Sequence, residues 1–307
     1  MKKRSSTRIL ALLVAAFCAA LLAGSVAVAA ESSDTANEAP SVEIDGVLYG
    51  KTVLFCGDSI CAGRPSEPEE ERAWAGRIGL AYGMVVTNNG RAAATVAVPD
   101  DSIMGRSLDN RILNQVDAAK DNTYDYVILH GGINDGMDSI EVGAMTDSAD
   151  VADFDDATFA GALEELFART QEYFGDTAEI GYIVNYQTPM SEWGGATKDM
   201  SEYVEVALQI CDKWEVSYLD LYNDQDFNEN VMKVSTKDNL SDFLHPTESG
   251  YDVLAAKIGA WMETLGQEVD NTLAWIIGGV VAGVVIIGGA TTGLVFVRRR
   301  KKRAEAA

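Results

Sequence analysis

A serine, an aspartate and a histidine lie in two short segments of the chain. Ser59 lies in VLFCGDSICAG (53–63), three residues past an apolar run. A serine hydroxyl is a weak nucleophile until a base removes its proton. The chain has two histidines, and Asp242 stands three residues before one of them, His245. At that spacing the carboxylate can accept a hydrogen bond from one ring nitrogen while the other nitrogen faces the serine. We therefore expect His245 to be the base and His130 to be a structural histidine near the site.

Donors for a developing oxyanion follow two other apolar runs. Gly90 lies in NNGRAAA, after MVVTN, and its N–H is open to a substrate because glycine has no side chain. Asn134 lies in GGIND, after YVILH, and carries a side-chain amide. Neither residue alone indicates a site, because glycine and asparagine are common in turns. Together with the serine and the Asp–His pair, they indicate acyl transfer through a serine nucleophile.

Short apolar runs alternate with amphipathic segments along the central part of the chain. The runs are TVLFC (52–56), MVVTN (84–88), YVILH (126–130), IGYIVNY (180–186) and VSYLDL (216–221). Helical periodicity is found near residues 73–82, 106–119, 156–174, 197–214 and 247–265. Near-continuous apolar strands separated by helices are typical of a parallel sheet covered on both faces. We predict a doubly wound α/β domain with a five-stranded parallel sheet and a site beyond the carboxyl ends of the strands.

Four ordered blocks resemble those of the SGNH, or GDSL-type, hydrolases. They are GDSI (57–60), Gly90, GIND (132–135) and DFLHP (242–246), and the resemblance covers about residues 51 to 265. The resemblance implies a flavodoxin-like three-layer α/β/α sandwich that hydrolyses carboxylic esters without a metal or another cofactor. It also implies individual roles: Ser59 as nucleophile, His245 as base, Asp242 as the residue that orients the base, and an oxyanion hole made of the Ser59 N–H, the Gly90 N–H and the Asn134 side chain.

Two features depart from familiar patterns. Cys61 stands where the G-x-S-x-G elbow of α/β-hydrolases has its second glycine, so that fold is disfavoured. No further glycine follows soon after Gly90, where the chain reads RAAATVA, which leaves the shape of this loop open.

Both ends of the chain carry signals of export and membrane anchoring. Four basic residues, a short apolar stretch and an A-x-A site predict a signal peptide, with a retained N-terminal anchor as the alternative. Residues 273–297 contain no charge and are long enough to cross a bilayer, and a run of six Arg and Lys follows. The predicted organisation is signal peptide 1–30, linker 31–48, SGNH hydrolase domain 49–266, linker 267–272, transmembrane helix 273–297 and basic cytoplasmic tail 298–307.

This organisation predicts a single-pass protein of the cell membrane with its catalytic domain outside the cell. The G-x-x-x-G pair Gly279/Gly283 allows close helix packing and could support a homodimer, although such pairs arise easily in a glycine-rich span. The net charge of the whole chain is −23. Without the first 30 and the last ten residues, the chain has 14 basic and 46 acidic residues, a net charge of −32. Such a surface argues against nucleic acid as a partner.

The remaining candidates have structural alternatives. NDQDFNEN (223–230) superficially resembles a calcium loop, but Glu229 occupies its glycine position, so we expect no metal. Cys56 and Cys61 could pair, but buried thiols are the favoured interpretation. The aromatic residues Tyr186 and Trp193 could line a substrate pocket or stack on a sugar, or else serve packing and loop anchoring. The acidic segment 137–155 is either a lid or, as we favour, a loop.

The expected function is that of an extracellular, membrane-anchored serine esterase. Its ester substrate is expected to be a short acyl group, such as acetyl, on a carbohydrate, by analogy with the family the chain resembles. Alternatives are a lysophospholipase or lipase, an acyltransferase with the same residues, and a catalytically silent surface binding module.

Overall fold

The computed structural model describes residues 46–63, 73–99, 107–188 and 200–267. The predicted signal peptide, transmembrane span, Gly279/Gly283 pair and basic tail lie outside these ranges. Among the described residues, no helix is both long and apolar enough to cross a membrane. Leu48, which the sequence places in the linker, is buried in the core, so the folded part of the chain already includes the turn that begins at Gly46.

Five parallel strands form one sheet, as the sequence predicts. The strands are β1 (Thr52–Cys56), β2 (Val85–Asn88), β3 (Tyr126–Gly131), β4 (Glu179–Val184) and β5 (Ser217–Asp220). Their order is β2-β1-β3-β4-β5, with Val53 of β1 in register with both Val86 and Tyr126. This is the flavodoxin-like order, in which the chain reverses direction next to β1 and opens a crevice at the carboxyl ends of β1 and β3.

Side chains of the central strands alternate between two hydrophobic cores, one on each face of the sheet. In β1, Val53 and Phe55 enter one core, whereas Leu54 and Cys56 enter the other. All six residues of β3 are buried. A strand that is buried on both faces has no need of polar alternation, which explains the continuous apolar runs of the sequence.

Seven α-helices of the described residues cover or border the sheet. They are α1 (Ser59–Ala62), α2 (Trp74–Tyr82), α3 (Ile112–Asp117), α4 (Ile133–Met137), α5 (Phe159–Phe174), α6 (Met200–Lys213) and α7 (Glu248–Met262). Residues of α2 and α7 belong to one core, and residues of α3, α5 and α6 to the other. The three-layer arrangement is therefore confirmed.

The helix predicted over residues 106–119 is interrupted. A 3₁₀ turn (Leu108–Asn110) precedes α3, and Arg111 between them is extended and forms a parallel bridge with Thr95. The Arg111 guanidinium donates to Glu165 at 3.0 Å. This long-range ion pair and the bridge are interactions that periodicity along the sequence does not reveal.

The acidic segment 137–155 is an ordered loop tied to the helices beneath it. Glu164 of α5 is fully buried and accepts a hydrogen bond from the Thr146 N–H at 2.9 Å. Lys213 of α6 pairs with Glu164 and donates to the Thr146 carbonyl at 2.9 Å. These contacts favour the loop interpretation over a lid.

Candidate active site

The first strand ends in a tight turn that presents Ser59. Asp58 is the N-cap of α1, and its carboxylate accepts the Ile60 N–H at 2.9 Å. The short helix ends at Gly63, whose φ of 95° lies in the left-handed region that glycine tolerates best. Ser59 is the first residue of the helix, where a backbone N–H has no intrahelical partner. Within the described part of the chain, the Ser59 N–H donates to no other protein atom.

A residue that the sequence analysis missed holds this turn in place. Gln115 of α3 is fully buried, and its side-chain amide makes two hydrogen bonds to Gly57. Its Oε1 accepts the Gly57 N–H at 2.8 Å, and its Nε2 donates to the Gly57 carbonyl at 2.9 Å. The amide pairs with the backbone as a residue of a neighbouring strand would. Only its position in an otherwise apolar helix face could have drawn attention to Gln115.

The structure brings Ser59, His245 and Asp242 together. The Ser59 Oγ lies 2.9 Å from His245 Nε2, and His245 Nδ1 lies 2.8 Å from Asp242 Oδ2. The other carboxylate oxygen of Asp242 accepts the N–H groups of Leu244 and His245, each at 2.6 Å. Burial alone would raise the pKa of Asp242, but these hydrogen bonds outweigh it and lower the pKa. Asp242 thus stays ionised beside the ring and fixes its tautomer.

The Gly90 N–H and the Asn134 side chain, two of the predicted oxyanion donors, both make hydrogen bonds within the protein. The Gly90 N–H donates to the Asn88 side chain at 3.0 Å, so it is engaged rather than open to a substrate. A Cβ at Gly90 would lie 2.9 Å from the Ala62 backbone nitrogen, which shows how closely this loop packs on α1. One N–H of the Asn134 amide donates to the Ala94 carbonyl at 2.8 Å.

Backbone strain lies in the same loop, at a position the sequence analysis did not single out. Ala93 has a φ of 64°, in the left-handed region that non-glycine residues rarely adopt. Asp135, fully buried in the GIND block, accepts the N–H groups of Val96 at 3.0 Å and Ala97 at 2.9 Å. Burial raises the pKa of Asp135 to about 6. Asp135 therefore serves to hold the loop against α4.

His130 is not placed as the base. It is buried behind the nucleophile turn, and its ring nitrogens face Asp58 and Asn185. The ring also makes an edge contact with Trp74, with centroids 6.4 Å apart. His130 thus occupies the structural position that the sequence predicts, adjacent to the site.

The other candidate residues have structural contacts. Tyr186 is buried in the core and donates to the Leu244 carbonyl, which ties β4 to the loop that carries His245. Asp224 pairs with Lys257 at 2.7 Å, and the buried Asn228 donates to nearby carbonyl groups. In the portions of the chain that are described, no group of three or more His, Cys, Asp or Glu side chains is arranged to hold a metal ion.

The cysteines and Trp193 complete the set of sequence candidates. Cys56, Cys61 and Cys211 are buried free thiols, so the favoured interpretation of Cys56 and Cys61 is confirmed. Trp193 lies outside the described residues.

Comparisons with known proteins bear on the family and on the fold. The model of the GDSL-like Lipase/Acylhydrolase family matches residues 55–253. A search of curated protein sequences gives no match. A solved structure from Lactobacillus plantarum is 22% identical, with a TM-score of 0.56 over 70% of this chain and 98% of that one. A Bacteroides ovatus protein described as a GDSL-like lipase is 15% identical, with a TM-score of 0.53 over 70% and 99% of the two chains. A carbohydrate acetylesterase family member from Sinorhizobium meliloti is 15% identical, with a TM-score of 0.50 over 70% and 98%. At these identities the solved structures establish similarity of fold alone.

Proposed function

Because the chain belongs to the GDSL-like lipase/acylhydrolase family and is therefore an ester hydrolase, we propose that it removes short acyl groups, such as acetyl, from carbohydrates, with Ser59 as its nucleophile. The observation that carries the catalytic part of this proposal is the continuous hydrogen-bonded path from the Ser59 hydroxyl through His245 to Asp242, with distances of 2.9 and 2.8 Å.

The geometry supports a two-step mechanism. His245 Nε2 takes the proton of the Ser59 hydroxyl as the oxygen attacks the ester carbonyl, and Asp242 stabilises the imidazolium that forms. The tetrahedral intermediate collapses when His245 returns the proton to the leaving alcohol oxygen, which breaks the ester bond and leaves an acyl-serine. Water then attacks the acyl group by the same sequence, with His245 again as base, and Ser59 is regenerated.

The negative charge of the tetrahedral intermediate needs donors close to the Ser59 hydroxyl. The Ser59 N–H and the Asn134 side-chain amide are the donors we assign. The Gly90 N–H would have to leave the Asn88 side chain before it could contribute. Gly90 is nevertheless needed for its close approach to α1, since a Cβ there would meet the Ala62 nitrogen at 2.9 Å.

A carbohydrate ester is favoured over a membrane lipid by where the chain leaves the domain. Helix α7 begins just after His245, at the same edge of the sheet as Ser59. The residues that follow the end of α7 lie against Glu179, the first residue of β4, since a Cβ at Gly266 would meet the Glu179 carboxylate at 2.6 Å. The chain thus leaves at the sheet edge opposite Ser59. Five residues, 268–272, then precede the apolar segment 273–297, a reach of less than about 20 Å. If that segment spans the membrane, the end of the domain opposite Ser59 is the end tethered to the bilayer.

We further propose that the catalytic domain lies outside the cell, anchored by residues 273–297, with residues 298–307 in the cytoplasm. The charge pattern of the two termini supports this orientation. An acyl ester on a surface glycan would then be within reach, and the Sinorhizobium meliloti structure, described as a carbohydrate acetylesterase family member, shares the fold. A lysophospholipase is disfavoured because the strongly acidic exterior would repel anionic lipid surfaces.

A fluorophosphonate probe tests the catalytic assignment, because it reacts with activated serines whatever their substrate. The purified full-length chain is treated with the probe and weighed intact. We expect one adduct on the wild-type chain and none on Ser59→Ala or His245→Ala. Ser217→Ala, which removes an exposed serine of β5 far from the site, is the matched control and should keep the adduct. No adduct on folded wild-type protein would refute the assignment and favour a silent binding module.

A substrate panel then tests the acyl and alcohol preferences. Acetylated oligosaccharides should release acetate faster than lysophosphatidylcholine releases fatty acid, and p-nitrophenyl acetate should be cleaved faster than its long-chain homologues. Transfer of the acetyl group to an added sugar in preference to water would identify an acyltransferase. Preference for lysophosphatidylcholine would overturn the carbohydrate proposal and leave the serine mechanism intact.

A further inference from the structure

A buried polar cluster lies directly behind the nucleophile turn and takes no part in the proton transfers described above. It consists of Asp58, His130 and Asn185, whose exposed fractions are 0%, 3% and 6%. Asp58 precedes Ser59 and caps α1 through the Ile60 N–H. Whatever fixes the Asp58 carboxylate therefore also fixes the first turn of the helix that presents the nucleophile.

The contacts of the His130 ring indicate that it is positively charged. Its Nδ1 lies 3.5 Å from a carboxylate oxygen of Asp58, and its Nε2 lies 3.3 Å from the amide oxygen of Asn185. Both ring nitrogens thus face acceptor oxygens. The Nδ1 contact with Asp58 is an ion-pair contact and not a hydrogen bond. A neutral imidazole would still turn the lone pair of one ring nitrogen toward an acceptor oxygen, whereas the imidazolium turns an N–H toward each. A carboxylate excluded from water also requires a partner of opposite charge.

We propose that His130 is a positioning residue: its imidazolium holds the Asp58 carboxylate, which in turn holds the turn carrying Ser59 in the orientation needed for attack. The effect of His130 on turnover rests on the proposed function, whereas its charge and its pairing with Asp58 do not. Loss of the His130 proton would leave Asp58 buried without a counter-charge and would loosen the cap of α1.

The groups around the cluster show which charges act on it. Among the described residues, the charged group facing the imidazole is Asp58; its other neighbours are the neutral Asn185 amide and the edge of the Trp74 ring. Burial raises the pKa of the nearby Tyr186 phenol well above its usual value, so it stays neutral. Burial also acts to lower the pKa of His130, but the negative charge of Asp58, aided by the Asn185 amide, outweighs it and raises the pKa.

The two histidines then impose opposite requirements on pH. His245 must be neutral to accept the Ser59 proton. His130 must be charged, so turnover falls at high pH as it loses its proton. The rate should therefore fall along an alkaline limb that belongs to a residue that never touches the substrate.

Nitrogen NMR of the full-length chain, labelled with ¹⁵N at histidine, tests the charge directly. The chain has two histidines, so His245→Gln assigns both signals at once. We expect both nitrogens of His130 to be protonated at pH 7. In Asp58→Asn, the midpoint of the His130 titration should fall by about one pH unit or more, because an adjacent opposite charge shifts a pKa by about 1–3. A neutral His130 at pH 7, with the Asn185 amide reversed to donate to it, would overturn the proposal.

The pH dependence of kcat/KM separates positioning from a merely structural role. A structural role predicts that His130→Gln lowers the rate by the same factor at every pH. Positioning by charge predicts a rate lowered roughly tenfold near neutral pH, since small displacements at a site can cost up to about 100-fold, together with loss of the alkaline limb. Persistence of the alkaline limb in His130→Gln would refute the proposal.

Asn185→Asp keeps His130 in place and provides a second test should His130→Gln fail to fold. A second carboxylate beside the imidazolium should move the alkaline limb to higher pH, and an unchanged limb contradicts the proposal. Ser217→Ala is the matched control and should reproduce the wild-type profile. If the wild-type chain cleaves no ester, the proposed function fails, while the NMR titration still decides whether His130 and Asp58 form an ion pair.

Discussion

Replacing Gln115 by leucine tests whether the buried amide determines the shape of the nucleophile turn. Leucine fills a similar volume but has no hydrogen-bonding group. In the wild-type protein, the Gln115 side chain satisfies both the N–H and the carbonyl of Gly57, at 2.8 and 2.9 Å. Gly57 and Gln115 are both buried, so water cannot replace the amide without opening the core.

The expected cost follows from the two backbone groups that lose their partner. A buried donor or acceptor left without a hydrogen bond costs about 1–3 kcal/mol, so Gln115→Leu should lower the free energy of unfolding by about 2–6 kcal/mol. That is a large part of the roughly 5–15 kcal/mol by which domains are stable. Because Gly57 lies two residues before Ser59, we also expect the fluorophosphonate to label the variant roughly 10- to 100-fold more slowly.

Urea unfolding and the labelling rate measure the two effects separately. Gln225→Leu makes the same chemical change at an exposed position and should alter the free energy of unfolding by no more than about 0.5 kcal/mol. If Gln115→Leu unfolds at the wild-type urea concentration and labels at the wild-type rate, the amide does not determine the turn and the reasoning is wrong.

Three further predictions follow from single side chains. Asp242→Asn should keep an oxygen that accepts the two backbone N–H groups, but it should offer an N–H to His245 in place of the second oxygen. We therefore expect kcat/KM to fall by about 10⁴-fold with little change in the urea midpoint of unfolding. A loss below tenfold would contradict the role of Asp242. Ala93→Gly should raise the free energy of unfolding, measured in urea, by up to about 1 kcal/mol. The left-handed backbone costs alanine about 1–2 kcal/mol, and glycine loses part of that gain because its unfolded chain is freer. A destabilised variant would refute this reasoning. Burial raises the pKa of Asp135 to about 6, so Asp135 binds a proton more tightly in the folded than in the unfolded chain. This residue should therefore reduce the free energy of unfolding by about 2 kcal/mol as pH rises from about 4 to about 6. The stability of Asp135→Asn, measured across the same range, should lack this slope, and an identical slope would show that another group titrates.

The sequence predicts the strands well because their signal is local. A strand buried on both faces must be apolar throughout, and β1 runs from Thr52 to Cys56 as its apolar run indicates. The bounds of the other four strands differ from their apolar runs by at most two residues. The interruption at Arg111 was not predictable, because the bridge to Thr95 and the ion pair with Glu165 join residues that are distant along the chain.

Part of the candidate triad could also be predicted from residues that are close together in the sequence. Asp242 and His245 are three residues apart, so their contact could be anticipated from spacing, and the turn after β1 places Ser59 at the sheet edge. The 2.9 Å contact between Ser59 and His245 joins residues 186 positions apart. It depends on the order of the strands and on the path of the chain into α7.

What the sequence by itself determined is the set of reactive residue types, the parallel α/β class and the edge at which those residues gather, because each depends on periodicity or short spacing. The tertiary structure alone decided which buried polar groups support the nucleophile. Gln115 and His130 reach Gly57 and Asp58 across 58 and 72 positions of chain, and nothing in their local sequence identifies these partners. The structure also showed that Asn88 engages the Gly90 N–H, since the direction of a backbone N–H is set by the loop and not by the residue type.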